Sequence, residues 1–203
     1  MKFQLILLLL LATFLPSCGG SSSNSGSNTT PTIENRCNIV YPKQSTSLYV
    51  LPYTINSAFN VGQGNCTDGS HTLNTEQAFA YDFDMPIGTN VIASRSGIVI
   101  VVVENYLENN NIPGQENYLV IQHNDDTVSI YYHLTHNGVA VKVGDSIVQG
   151  ELLARSGNTG DSSAPHLHFE VALCEDCQTL PISFKNTREH INGLVEGEVY
   201  LAE

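Results

Sequence analysis

Residues 166–171 have the sequence HLHFEV, in which polar and apolar residues alternate. Successive side chains of a β-strand point to opposite faces, so His166, His168 and Glu170 share one face at intervals of about 7 Å. The apolar residues between them, continued by Leu173, are then expected to face the core. Two imidazoles held on one rigid face can serve as a metal ligand and an acid–base partner. The same pattern also fits an ordinary polar strand face, and a solvated position on that face is the favoured interpretation for Glu170.

Two further segments carry groups of the same kind. In residues 128–133 (VSIYYH) the alternation predicts that His133 ends a strand on its polar face. In residues 79–86 (FAYDFDMP) it places Asp82 and Asp84 on the face opposite the aromatic residues. Either aspartate could ligate a metal ion, and all three side chains are equally compatible with simple exposure to solvent.

The order of these segments resembles the motif blocks of the lysostaphin-type (LytM-type) zinc metallopeptidase family. Asp82, MPIGTNVIA and SGIV resemble the family's D-x-x-x-P-x-G-T-x-V-x-A…G-x-V block, and residues 118–134 resemble its block that ends in Y-x-H-L. VGDSIVQG, GNTG and PHLHFE then follow in the family's order. The similarity covers about residues 70–171. A single block is a weak signal, whereas their occurrence together and in order is a specific one.

The resemblance implies a site for one Zn²⁺ per chain. Asp82 and His168 match the family's ligand positions, and the Asp82-to-Pro86 spacing favours Asp82 over Asp84. The common pattern has its first ligand four residues before the aspartate, which is Ala78 here. Some relatives carry Ser-His followed by a longer insertion, and this resemblance assigns the first ligand to His71.

The resemblance also implies catalysis by His133 and His166, which match the family's two non-ligating histidines. Two imidazoles and a carboxylate suit Zn²⁺ and leave a fourth position open. The implied function is a zinc-dependent metalloendopeptidase that hydrolyses peptide bonds in peptidoglycan stem peptides or cross-links. The alternative is a catalytically degenerate LytM-like domain that binds or regulates cell-wall amidases. The remaining histidines, at positions 123, 136 and 190, are interpreted as structural or exposed.

Short runs rich in Val, Ile, Tyr or Phe and bounded by turn residues must position these groups. The predicted strands are Ser47–Tyr53, Ala78–Asp84, Gly97–Val103, Asn117–His123, Thr127–His133, Glu151–Ser156, His166–Leu173 and Glu198–Leu201. The pattern predicts an all-β, antiparallel fold, and the family resemblance implies that it is the compact antiparallel sheet or barrel-sandwich hybrid of the LytM-like type. Residues 54–76 and 104–115 are predicted to be long loops, and residues 123–127 (HNDDT) are predicted to form a hairpin turn, because Asn and Asp tolerate a positive φ.

The first residues predict export. Residues 1–17 have a positively charged start and a short apolar run, typical of a signal peptide, and the following Cys18 resembles a lipobox cysteine. Residues 18–36 are predicted to form a flexible linker behind that lipidated cysteine, and residues 37–203 the catalytic domain. The expected location is the cell envelope. There the protein would be anchored by lipid in the outer membrane and would face the periplasm.

Charge and cysteine content narrow the remaining choices. The net charge of −12, or −13 once Lys2 leaves with the signal peptide, argues against nucleic-acid partners. The family resemblance implies peptidoglycan peptides as partners, the lipobox-like Cys18 implies a membrane, and we expect a monomer. An even number of cysteines in an exported domain favours two disulfides, Cys37–Cys66 and Cys174–Cys177, although the CxxC motif alone also fits a redox or a structural zinc site.

Overall fold

Eleven β-strands and two short 3₁₀ helices make up the regular structure of residues 35–203, the part of the chain that the computed structural model describes. The 3₁₀ helices are Gln44–Thr46 and Gly69–His71. The strands are β1 (Ala58–Gln63), β2 (Tyr81–Asp84), β3 (Asn90–Ile92), β4 (Gly97–Val103), β5 (Tyr118–Gln122), β6 (Val128–Tyr132), β7 (Leu134–Val139), β8 (Ser146–Ile147), β9 (Leu152–Ser156), β10 (His166–Ala172) and β11 (Val199–Leu201).

Two antiparallel sheets contain these strands. The larger has eight strands in the order β11-β1-β2-β10-β6-β5-β4-β8, and the smaller has the order β3-β9-β7. Strands β2, β10 and β6 come from the three segments that carry the predicted site residues, and they are neighbours in the middle of the larger sheet. The prediction of an all-β, antiparallel fold is confirmed.

The core lies against the face of β2 and β10 that carries their apolar residues. Tyr81, Phe83, Leu167 and Phe169 are completely buried there, as is Phe184 from the C-terminal segment. Burial of a large apolar side chain contributes about 1.5–3 kcal/mol to folding. These side chains fix the two strands in register, so the polar residues between them are held on the opposite face.

Three expectations about the strands are wrong. The predicted loop 54–76 contains β1, which pairs with both β2 and β11 although only its Val61 is buried. The predicted strand 47–53 makes only isolated bridges at two tyrosines, because Pro52 has no amide hydrogen to donate and interrupts regular pairing. Leu173 is 62% exposed, since β10 ends one residue before it.

Both expected disulfides, Cys37–Cys66 and Cys174–Cys177, are present. The first fastens the start of the described chain to the segment just before the Gly69–His71 helix. The second closes a turn directly after β10. The predicted hairpin between β5 and β6 is also confirmed, with the His123 amide donating to the Thr127 carbonyl oxygen and Asp126 at φ 64°.

The predicted signal peptide, Cys18 and the linker up to residue 34 lie outside the described residues. Within residues 35–203 the structure contains no helix of the length and apolarity needed to span a bilayer.

Candidate metal centre

The register of two central strands brings the first pair of polar side chains together. In the antiparallel pair β2–β10, Asp82 lies directly opposite His168. Cross-strand neighbours have Cβ atoms about 5 Å apart, which allows their side chains to touch. The His168 Nδ1 atom is 2.9 Å from the Asp82 Oδ1 atom.

His71 joins this pair from outside the sheet, at the end of the second 3₁₀ helix. Its ring is completely buried, and its Nε2 atom lies 3.3 Å from His168 Nδ1 and 3.5 Å from Asp82 Oδ1. One donor atom from each of the three residues falls within 4.8 Å of the other two. Ala78, at the position where the common family pattern has a histidine, is a buried apolar residue with no donor atom.

Hydrogen bonds to the far side of each ring fix which nitrogen faces the cluster. The Nδ1 of His71 donates to the Gly64 carbonyl oxygen at 3.2 Å, which leaves Nε2 with its lone pair towards Asp82. The Nε2 of His168 donates to the Glu170 carboxylate at 3.0 Å, which leaves Nδ1 towards the same point. Two imidazole nitrogens and one carboxylate oxygen converging in this way fit the donor set of a catalytic zinc site.

The remaining two predicted site residues lie beside this cluster. The rings of His133 and His166 are 4.5 Å apart, and His166 Nε2 is 3.7 Å from Asp82 Oδ1. His133 donates from Nδ1 to the Thr159 carbonyl oxygen at 2.7 Å, and His166 donates from Nδ1 to that of Ala164 at 2.8 Å. In each ring the Nε2 atom is therefore the one that remains available for chemistry.

The predicted position of His133 on a polar strand face is wrong, although the residue does lie at the site. The alternation predicted that it would share a polar strand face with Tyr131, but Tyr131 is completely buried in the core and Tyr132 lies beside His168. His133 follows the end of β6 and has φ 59°, in the left-handed region. This turn between β6 and β7, rather than the strand alternation, directs its side chain to the site.

Glu170 is the site residue that the sequence reasoning placed wrongly. An exposed, solvated position was the favoured interpretation, yet the residue is only 4% exposed and is bonded to His168. Its position two residues after His168 on one strand was the available signal. The signal could not be used because burial of that face depends on β6, which is remote in sequence.

The electrostatics of the cluster follow from burial and from these contacts. Burial lowers the pKa of His71 to about 4 and that of His133 to about 3, so both imidazoles are neutral at pH 7. Burial alone would raise the pKa of Asp82, but the hydrogen bond from His168 outweighs it and the pKa falls to about 2. Burial opposes the charge on His168, but contacts with Asp82 and Glu170 raise its pKa to about 10.

An open cleft of about 550 Å³ leads to these side chains. Among its lining residues are Asp82, Tyr132, His133, His166 and His168, and none of the lining residues in the described part of the chain is Lys or Arg. The lining of the cleft is predominantly polar.

The competing candidates lie apart from this cleft. Asp84 is exposed and accepts a hydrogen bond from Asn60. His136 lies on β7 and does not line the cleft. The buried rings of His123 and His190 bond to the backbone of Ser96 and of Arg188 and Phe184. The structure is thus consistent with structural or exposed positions for these three histidines.

Comparisons with known proteins find relatives among bacterial peptidases. An uncharacterized metalloprotease of Buchnera aphidicola subsp. Baizongia pistaciae is 32% identical over 71% of this chain and 37% of its own length. The peptidoglycan DD-endopeptidase ShyA of Vibrio cholerae is 40% identical over 45% of this chain and 19% of its own. The chain therefore spans well under half of these curated relatives.

A solved structure and a family model point the same way. The structure of the antimicrobial peptidase lysostaphin from Staphylococcus simulans aligns with a TM-score of 0.50 at 29% identity, covering 67% of this chain and 51% of that one. The model of Peptidase family M23 matches residues 76–180, slightly more than half of the chain and the segment that carries Asp82, His133, His166 and His168. On this evidence the chain belongs to Peptidase family M23.

Proposed function

We propose that this chain is a zinc-dependent metalloendopeptidase that hydrolyses peptide bonds in the stem peptides or cross-links of peptidoglycan. The observation that carries the proposal is the convergence of His71, Asp82 and His168 within 4.8 Å, beside two further histidines that line an open cleft. The substrate class is supported by the similarity to ShyA, a named peptidoglycan DD-endopeptidase.

His71, Asp82 and His168 would hold the ion through Nε2, Oδ1 and Nδ1. Bound Zn²⁺ supplies Lewis acidity, which polarises a peptide carbonyl and favours deprotonation of water at neutral pH. The protein's part is to hold these ligands rigidly: Asp82 and His168 sit on paired strands, and the Gly64 carbonyl orients His71.

His133 and His166 supply the proton transfers. Each has its Nδ1 proton engaged by a backbone carbonyl, so each presents Nε2 to the cleft. The neutral His133 can accept a proton from an attacking water at Nε2, and a protonated imidazole at either position can stabilise the developing oxyanion and protonate the leaving amine. Their rings lie 4.5 Å apart, close enough for both to act on one peptide group.

Zinc content and wall digestion together test the proposal. The purified domain is expected to contain about one zinc per chain by mass spectrometry, and to release peptide fragments from purified sacculi. His168→Ala should lose both properties, whereas His166→Ala should keep the zinc and lose the fragments.

The rival function, a degenerate domain that regulates wall amidases, predicts a different result. Wild-type protein without zinc and without product, even in added zinc, would overturn the proposal and leave the rival as the remaining function. The enzyme is favoured because His71 supplies the third donor atom, although Ala78 stands where the common family pattern has its first histidine ligand.

We further propose that the protein is a monomer held at the envelope by lipid on Cys18, facing peptidoglycan from the outer membrane. The support is the sequence of residues 1–18 alone. Metabolic labelling with a fatty acid should mark the wild-type chain and not Cys18→Ser. Release of unlabelled wild-type protein into the soluble fraction would contradict the anchor, and light scattering of the domain tests the monomer.

A further inference from the structure

Glu170 is a buried carboxylate in a mostly apolar surrounding. It lies on β10 directly opposite Ile130 of β6 and is 4% exposed. The residues on this side of the sheet form a small apolar cluster with Val120, Val128, Ile130 and Ala172 at its centre. A carboxylate taken out of water without compensation opposes folding, and apolar replacements of similar volume are often no less stable.

The contact that Glu170 makes lies at the back of a proposed metal ligand. Its Oε2 atom is 3.0 Å from His168 Nε2, and His168 is 4% exposed. A carboxylate can only accept here, so the imidazole proton is held at Nε2. Nδ1 then faces Asp82 Oδ1, at 2.9 Å, and His71 Nε2, at 3.3 Å, so it is the nitrogen that offers its lone pair to a metal once its own proton has left.

We propose that Glu170 is a positioning residue for the metal centre: it fixes the tautomer and ring orientation of His168 and supplies the second negative charge that balances a divalent cation. This inference rests on the zinc site of the proposed function. Two neutral imidazoles and the two carboxylates of Asp82 and Glu170 sum to −2, which matches Zn²⁺. Hydrogen bonds to the far nitrogen of a ligating histidine typically change metal affinity by about 10- to 100-fold.

Glu170 acts through His168 and not on the substrate. It is absent from the residues that line the cleft. Its replacement is therefore expected to change zinc binding while leaving the KM for a peptide substrate unchanged at saturating zinc.

Two substitutions separate the charge from the hydrogen bond. Glu170→Gln keeps the size and an acceptor oxygen, and we expect its zinc dissociation constant to rise about tenfold, measured by competition with a chromophoric chelator. Glu170→Leu removes both properties in an apolar surrounding, and we expect a rise of about 100-fold. Nitrogen-15 spectra of the zinc-loaded wild type should show the His168 proton on Nε2.

Asp84→Asn is the matched control. It removes one carboxylate from β2, two residues from Asp82, at an exposed position, and should leave the zinc dissociation constant unchanged. Urea unfolding of the metal-free proteins distinguishes positioning from a structural role, because a structural role lowers the unfolding midpoint without changing zinc affinity. If Glu170→Leu does not fold, Glu170→Gln carries the test.

The outcomes separate this inference from the proposed function. Wild-type protein that binds no zinc would refute the metalloendopeptidase proposal and the inference with it. Wild-type protein that binds zinc while both Glu170 variants bind it equally well would overturn the role of Glu170 alone.

Discussion

His133 has a strained backbone, and that strain serves its position. A left-handed φ of 59° on a non-glycine residue costs about 1–3 kcal/mol and persists only where the surroundings enforce it. Here the hydrogen bond to Thr159 and the start of β7 at Leu134 hold the residue in place. As a result, the Nε2 atom of His133 faces the cleft beside the proposed zinc centre.

His133→Ala is accordingly expected to lower kcat by about 10²- to 10⁴-fold, the usual effect of removing a general acid or base. Zinc content should stay at the wild-type level, because His133 is not among the three converging donors. Steady-state kinetics with a cross-linked muropeptide and metal analysis of the same sample check both parts. His136→Ala, which alters a histidine outside the cleft, is the control and should retain wild-type kcat.

The protonation of His168 predicts how zinc binding depends on pH. Its pKa of about 10 in the metal-free protein means that it carries a proton at pH 7 to 9, which must leave before Nδ1 can bind a metal. His71 and Asp82, with pKa values of about 4 and about 2, are already deprotonated there. Zinc affinity should therefore rise about tenfold per pH unit between pH 7 and 9.

Calorimetry in buffers of different ionisation enthalpy measures the protons released. One proton per zinc is expected in this range. Release of none would show that His168 is neutral in the metal-free protein, and release of two would show that a second ligand is protonated as well.

Single residues were predictable from the sequence where strand alternation controls them. The face shared by His166 and His168, and the separation of the aromatic residues from Asp82, follow from a two-residue period. Glu170 was misplaced because its burial depends on β6, more than thirty residues away in the chain. His133 was correctly brought to the site, but the turn that carries it there has no signal in the local sequence.

The loop that carries His71 is fastened by the disulfide Cys37–Cys66, whose cysteines are 29 residues apart. Closing a loop of this length stabilises the fold by about 3.5 kcal/mol in the chain-entropy description. The double variant Cys37→Ser/Cys66→Ser should lose about that much free energy of unfolding. It should also bind zinc more weakly, since Cys66 and His71 share one loop.

The disulfide Cys174–Cys177 provides the comparison. Its cysteines are 3 residues apart, so the same description gives about 2 kcal/mol for its loss. Urea unfolding and zinc titration of both double variants test the difference. An equal loss of zinc affinity in the two would mean that the His71 loop is held by other contacts.

Some strands could be predicted from the sequence and others could not. Runs rich in Val and Ile, such as β4 and β5, were located correctly because β-propensity and burial agree there. Strand β1 was taken for loop because its sequence AFNVGQ has few strand-forming residues and only one buried side chain. Its conformation is imposed by hydrogen bonding to β2 and β11, both distant in sequence.

For the molecule as a whole, metal removal should be visible as lost stability. A ligand that binds only the folded state adds about 2.7 kcal/mol at a free concentration 100 times its dissociation constant. For a domain of this size that corresponds to about 5–10 °C in Tm. Thermal unfolding before and after treatment with a chelator measures it, and Mg²⁺ in place of zinc should give no shift because nitrogen ligands suit it poorly.

The site residues are far apart in sequence, and this affects how early in folding the site can form. His71 and His168 are 97 positions apart, and Asp82 and His168 are 86 apart. Contacts between such remote segments are slow to form, because the intervening chain must lose its freedom first. For a hydrolase of the kind proposed, an unfolded chain would thus contain no cutting site, and the site would assemble only when the whole domain has folded.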